Sequence, residues 1–268
     1  MTTPETGTHM TKVLEDTLVL VTGANGDIGK ATVRLLVANG AKVVCSDLQA
    51  PREPIEGTEF IALDVTSEAS WKEAIGAVEQ RHGKLDALVN NAGIAPMGRI
   101  EDVTLEEWKR CQEVNVEGMF LGTKTAASLL ARSGTGREGG AAIVNMCSGA
   151  SDKPAVFSAA YCVSKAAARM LTRASAVEFA TLGYPIRVNS VHPGVVESSM
   201  MDEIIETYSR ISGGADKDQL RKSIAGGNPM GRFVDPAEVA EAVLFLISPA
   251  SRFVHGDAIH VDGGYAAS

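Results

Sequence analysis

Seven short aliphatic and β-branched runs recur along the chain, at 17–21 (TLVLV), 41–46 (AKVVCS), 59–63 (EFIAL), 85–90 (LDALVN), 141–146 (AAIVNM), 186–191 (IRVNSV) and 257–261 (DAIHV). Most are apolar throughout rather than alternating, which suits strands covered on both faces and hence a parallel sheet. Helical patterns fill the intervals at 28–38, 67–82, 104–132, 158–182 and 236–248, the last opened by Asp235 and Pro236, a favourable start for a helix. The alternation predicts an α/β fold built on one doubly wound, mostly parallel, seven-stranded sheet, with helices carried to both faces by right-handed crossovers. The exception is 197–235, where Gly213, Gly214, Gly226, Gly227 and Pro229 interrupt a mixed sequence without a clear strand. A segment of this kind reads as a substrate loop or lid, placed at about 197–230.

Composition narrows the function. The 268 residues are 45% hydrophobic, enough for one domain over 13–268, while the polar residues 1–12 read as a disordered tail. A formal charge of −8 with no basic stripe argues against nucleic acid or an anionic membrane as a partner. No run approaches the roughly 20 apolar residues of a membrane span, and the N-terminus lacks a signal-peptide core. Cys45, Cys111, Cys147 and Cys162 are dispersed, with no CxxC pair and no histidine at ligand spacing. That pattern predicts neither a disulfide framework nor a metal site, and it fits a reducing cytoplasm.

The first strand ends in TGANGDIG, Thr22 to Gly29, and enters a helix directly. Glycines at a strand–helix turn let backbone amides and the helix N-terminus approach a pyrophosphate. Asp47 follows at the end of the second strand, 18 residues beyond Gly29, where a carboxylate can accept hydrogen bonds from both adenosine ribose hydroxyls. It would repel a 2′-phosphate, each unit of charge costing roughly 4 kcal/mol at about 4 Å and an effective dielectric near 20, so NAD is the expected cofactor. Asp64, with Val65 beside it, follows the third strand and can reach the adenine edge.

Further motifs lie downstream: NNAG at Asn90 to Gly93, EVNVEG around Asn115, Ser148 after the fifth run, YxxxK at Tyr161 to Lys165, and HPGVVESS at 192–199. Taken together over residues 13–265, the chain resembles the short-chain dehydrogenase/reductase family, a Rossmann-type fold, and its NAD-preferring branch. The resemblance implies alcohol–ketone interconversion with catalytic Asn115, Ser148, Tyr161 and Lys165. It also implies a cofactor site from Gly23, Asp27, Ile28, Gly29, Asp47, Asp64, Val65, Asn90, Ala92, Gly93, Tyr161, Lys165, Pro193, Gly194, Val196 and Ser198. Lys165 would hold the nicotinamide ribose, Asn115 a water linking that lysine to solvent, and the backbone of Val196 the carboxamide. The family commonly forms tetramers, so a homo-oligomer, tetramer or dimer, is expected.

The chemistry explains the residue types. As hydride leaves an alcohol carbon, the hydroxyl proton needs a positioned base. A tyrosine of ordinary pKa near 10 serves close to neutrality only if its environment supplies about 3 to 4 kcal/mol. A lysine four residues on shares its helix face and contributes roughly 3 kcal/mol at about 5 Å. Ser148 would bond the substrate oxygen as that atom gains charge. His192 reads as structural, and Cys147 and Cys162 as packed residues. Ile94, Met97, Val156, Phe157, Met200, Met201 and Ile204 are pocket candidates, suggesting a bulky apolar alcohol such as a hydroxysteroid, terpenoid or other cyclic alcohol.

One residue departs from the family pattern. Asp27 occupies the second glycine position of TGxxxGxG, where a carboxylate either opposes the pyrophosphate or turns outward as a helix cap. An NADPH-dependent 3-ketoacyl reductase and a catalytically silent NAD-binding scaffold remain as alternative readings, the first opposed by Asp47 and the second by the intact Asn–Ser–Tyr–Lys set.

Overall fold

The computed structural model describes residues 12–268; most of the tail expected to be disordered, residues 1–11, lies outside the described residues. Strands β1 (Leu18–Thr22), β2 (Lys42–Asp47), β3 (Thr58–Ala62), β4 (Ala87–Asn90), β5 (Ala141–Met146), β6 (Ile186–Pro193) and β7 (Ala258–Val261) form one sheet in the order β3-β2-β1-β4-β5-β6-β7. Every pairing is parallel. The order reverses direction between β1 and β4, and this switch point opens a crevice beyond the C-terminal strand ends.

Strand parity explains the apolar runs. Val19, Val21, Val43, Cys45, Val89 and Val144 face one layer, packed with Val33 and Leu36 of α1 (Asp27–Ala38). Leu18, Leu20, Val44, Leu88, Ile143 and Val188 face the other, against Trp71 and Val78 of α2 (Glu68–His82). With both faces covered, no polar alternation is needed.

The helix expected over 104–132 runs as α3 (Leu105–Gln112), a π-helical turn at Glu113–Glu117 and α4 (Gly118–Gly134). Its start carries a capping box between Thr104 and Glu107, and the π turn at its centre holds Asn115, a common arrangement at functional sites. Next come α5 (Ala159–Thr181), α6 (Ser199–Ile211), α7 (Lys217–Ala225) and α8 (Pro236–Ile247). Leu246 and Ile247 of α8 join the α1 layer, while Ala176 and Phe179 of α5 join the α2 layer. The segment expected to be a loop is therefore largely helical. Ser198 and Asp216 cap α6 and α7, accepting hydrogen bonds from the Met201 and Gln219 amides, and the glycines interrupting the pattern lie at helix ends rather than inside helices.

Candidate active site

Register across the switch point brings the two cofactor motifs together. Val21 is opposite Val89, so the turns after β1 and β4 lie side by side. The Thr22 hydroxyl accepts hydrogen bonds from the Asn91 and Ala92 amides, both at 3.0 Å, and the Asn91 side chain donates back to the carbonyls of Thr22 and Gly23. At Gly29 a Cβ would stand 2.2 Å from the Gly23 carbonyl oxygen, so glycine is what lets α1 begin so close under the turn.

A cavity of about 480 Å³ runs along this crevice. One end is lined by Gly23, Asp27, Ile28, Gly29, Asp47, Asp64, Val65, Ala92 and Gly93. The Asp47 carboxylate accepts from the Asn25 and Leu48 amides, which fixes it at the end of β2. Asp64 accepts from the amide and hydroxyl of Thr66, and these bonds, with a weaker contribution from Arg110, hold its carboxyl below the usual range. The glycine turn, the α1 amides and the strand-end carboxylate are the donor and acceptor set a dinucleotide requires, and the crevice is continuous with the other end, so the residues fit that cofactor.

The other end is lined by Ser148, Tyr161, Lys165, Pro193, Gly194, Val196 and Ser198. Ser148 lies just beyond β5 and accepts from the Ala150 amide. Tyr161 and Lys165 project from the first turns of α5. The Lys165 ammonium donates to the Met146 carbonyl at 2.8 Å and lies 5.7 Å from the Tyr161 ring centroid. Burial pulls Lys165 below the ordinary lysine range. Burial likewise pushes the Tyr161 phenol up to about 12, partly offset by Ser148. Lysine was expected to bring the phenol down; here its charge is turned toward a backbone carbonyl, and desolvation dominates.

Two of the residues predicted for catalysis and cofactor binding do not line the cavity. Asn90, at the end of β4, is buried and donates to Asn145 at 2.9 Å; strand parity turns its side chain into the sheet's layer, and Asn91 makes the bonds between the turns. Asn115 is also buried. Its amide accepts from the Ile94 N–H and donates to the Ile94 carbonyl and the Ser164 hydroxyl, each at 2.9 Å. The side chain thus clamps the loop after β4, and the π turn presents it there. Its Oδ1 and the Lys165 ammonium pass 3.2 and 3.3 Å from where a Cβ of Gly93 would stand.

The Asp27 carboxylate reaches across the cleft to α6. It accepts from the amide and hydroxyl of Ser199, both at 2.8 Å, so it caps that helix. His192 is fully buried away from the cavity, and desolvation, reinforced by the neighbouring His260, drives its pKa to about 3. Burial raises Cys147 to about 11, which keeps this residue a thiol at neutral pH.

The three stretches that carry the pocket candidates, around Ile94, Val156 and Met200, converge. The Gly98 amide donates to the Phe157 carbonyl, the Tyr208 hydroxyl donates to the Val156 carbonyl at 2.7 Å, and the Phe157 and Tyr208 rings lie 5.5 Å apart. Ile94, Met97, Met200, Met201 and Ile204 line the cavity, whereas Val156 is exposed and Phe157, at φ +62°, props Tyr208 from behind. Sequence reasoning missed Tyr208, Ile224 and Tyr265 as lining residues. A signal existed for Tyr208: Met201, Ile204, Ile205 and Tyr208 repeat with helical spacing.

Comparisons with known proteins agree with this geometry. A family model described as enoyl-(acyl carrier protein) reductase matches residues 23–266. The chain is 38% identical to a cyclopentanol dehydrogenase of Comamonas sp., covering 95% of this chain and 99% of that one. It is 36% identical to a 3-beta-hydroxysteroid dehydrogenase of Comamonas testosteroni, covering 94% and 97%. The ligand-free aldohexose dehydrogenase of Thermoplasma acidophilum superposes with a TM-score of 0.85 at 31% identity, covering 95% and 96%. The chain belongs to the short-chain dehydrogenase/reductase family. It is an oxidoreductase of the alcohol–ketone class using a nicotinamide cofactor. Among the described residues no helix is long and apolar enough to cross a membrane.

Proposed function

We propose that this protein is an NAD-dependent dehydrogenase of bulky, apolar, cyclic secondary alcohols. The observation that carries the reading is the convergence of Ser148, Tyr161 and Lys165 at one end of a cavity whose other end carries Asp47 and the glycine turn. Asp47 accepts ribose hydroxyls and repels a 2′-phosphate, favouring NAD over NADP. Ser148 bonds the substrate oxygen, Tyr161 Oη takes the hydroxyl proton, and Lys165 steadies the charge left on the phenol while holding ribose hydroxyls. Asn115, by clamping Ile94, keeps Lys165 beside the loop after β4. When bound, the oxidised nicotinamide supplies the hydride acceptor and a positive charge near Tyr161, which lowers the phenol from the raised value that burial gives it. Val196 and Ser198, beyond the Pro193–Gly194 turn, secure its carboxamide.

The substrate end supports the apolar class. Ile94, Met97, Met200, Met201, Ile204 and Ile224 surround it, while Arg110, the other cation on the cavity wall, acts on Asp64 at the adenine end. Two relatives named for cyclopentanol and 3-beta-hydroxysteroid substrates point the same way. We further propose that residues 13–268 act as one domain in which 197–230 closes over the substrate. A cytoplasmic homo-oligomer fits the unpaired cysteines and the exposed Phe120, Met170 and Val177 on α4 and α5.

A panel of cyclic and acyclic secondary alcohols, assayed with NAD and NADP by absorbance of the reduced cofactor, tests the reading. NADH formation fastest on cyclic apolar alcohols is the expected result. Tight NAD binding without turnover on any alcohol would replace it with a binding scaffold, and turnover confined to NADPH with ketoacyl substrates with a reductase.

A further inference from the structure

Behind Ser148, outside the cavity, three side chains far apart in sequence come together. Asp152 follows the short turn Gly149–Ser151, His192 lies near the end of β6, and His260 lies opposite His192 on β7. Asp152 Oδ2 is 3.2 Å from His192 Nδ1 and 3.3 Å from His260 Nε2, and the three atoms lie within 4.8 Å of one another. We propose that Asp152, His192 and His260 form a binding site for a divalent transition metal, zinc being the best match.

Donor geometry is the first support. Ligands about 2.0 to 2.1 Å from a tetrahedral ion stand roughly 3.3 to 3.4 Å apart, close to the two measured separations. His192 is fully buried, whereas the side chains of Asp152 and His260 retain 19% and 32% exposure. A fourth position therefore opens to solvent, and His260 is free enough to adjust. Two imidazoles and one carboxylate favour zinc, cobalt or nickel over magnesium or calcium.

The surrounding bonds orient these donors. The Ser190 hydroxyl lies 2.8 Å from His192 Nε2 and 3.2 Å from the Asp257 carbonyl. A metal at Nδ1 would fix the His192 proton on Nε2, donated to Ser190, and a hydrogen-bonded outer partner of this kind is the usual support for a ligating histidine. The other Asp152 oxygen, Oδ1, is held by Arg169, so the carboxylate offers a single oxygen. The Arg169 charge weakens the site, and micromolar rather than tighter affinity is expected. Because Ser151 bonds the Ser148 carbonyl and lies 2.9 Å from His192 Nδ1, occupancy would tie β6 and β7 to the turn that carries Ser148. The ligands stand 40 and 68 residues apart in sequence, which is why no ligand spacing is visible there.

The test uses the full chain after chelator treatment, titrated with zinc by calorimetry and with cobalt by visible d–d absorption. One equivalent per chain, with a rise in Tm, is expected. His260→Ala and the milder His260→Gln should both lose the cobalt spectrum and the Tm rise while still binding NAD, which shows that they are folded. Absence of stoichiometric binding to the wild type, or undiminished binding in both variants, overturns the proposal.

Discussion

Asp27, the first residue of α1, accepts two hydrogen bonds of 2.8 Å from Ser199, the first residue of α6, 172 residues away in the chain. A position that is glycine in the family motif thereby becomes a strut from the glycine turn to α6, whose Met200, Met201, Ile204 and Tyr208 line the cavity. The Ser199 hydrogen bonds hold the Asp27 carboxyl below its ordinary range against the opposing effect of burial. Asp27→Gly should free the start of α6 and raise KM for the alcohol roughly threefold to tenfold, since each net bond contributes about 0.5 to 1.5 kcal/mol. NAD affinity should change less than KM, as the carboxylate is already engaged by the Ser199 amide and hydroxyl. Steady-state kinetics beside fluorescence titration of NAD separates the two, and a large gain in NAD affinity would show that Asp27 opposes the pyrophosphate instead.

Proton transfer makes a sharper prediction. Tyr161→Phe removes the hydroxyl assigned to the proton and should cut turnover by about two to four decades, with NAD affinity intact. For the wild type the sign follows from the titration. Oxidation needs the phenolate, and burial pushes Tyr161 up to about 12 before any cofactor charge acts on it. Oxidation at saturating NAD should therefore climb with pH. Ketone reduction needs the phenol and should be level at low pH, falling only above a higher apparent pKa, because the reduced nicotinamide carries no positive charge to lower the phenol. Lys165→Met should move the rising limb to higher pH. Rate profiles in both directions check this, and a pH-independent chemical step in oxidation would exclude Tyr161 as the base.

Much of this was legible in the sequence because the relevant constraints are local. An apolar run covered on both faces, a glycine turn opening a helix, and a Tyr–Lys pair one turn apart are all set within a few residues. What escaped depends on contacts across the sheet. The Asn115 side chain could not be assigned to the Ile94 backbone without the π turn, and Asn91 takes over the bonding from Asn90 only because β1 and β4 are neighbours. The glycines in 197–235 suggested a loop, yet they terminate helices whose apolar spacing was present in Met201, Ile204, Ile205 and Tyr208. The Asp27 strut and the triad behind Ser148 have no local signature, since their partners come from different crossovers.

Tyr208 offers a test of how α6 is held over the pocket. Its hydroxyl bonds the Val156 carbonyl at 2.7 Å and its ring meets Phe157, a residue kept at φ +62°. Such a backbone conformation costs of order 1 to 3 kcal/mol and persists only where its surroundings hold it. Tyr208→Phe keeps the ring contact and loses the bond, so a modest rise in KM of about twofold to fivefold is expected. Tyr208→Ala loses both and should also make the 155–157 loop more susceptible to proteolysis. Equal kinetics for the two variants would place the contribution in the hydroxyl alone.

Cofactor choice is tested at Asp47. Its carboxylate is pinned by the Asn25 and Leu48 amides, so it cannot swing away from a 2′-phosphate without giving up both bonds. The full Coulomb cost for two close charges, roughly 4 kcal/mol each at an effective dielectric near 20, is reduced here by partial exposure and by screening. A discrimination of about two to three decades between NAD and NADP remains a reasonable magnitude. Asp47→Ser removes the charge and keeps a short hydroxyl for the neighbouring amides. It should lower kcat/KM with NAD by about tenfold through the lost ribose bonds while raising that with NADP, bringing the two within an order of magnitude. The ratio of kcat/KM values at fixed ionic strength reads this directly. Repeating it at higher salt should narrow the wild-type preference and leave the variant's nearly unchanged, because only the wild type opposes the phosphate with a fixed negative charge.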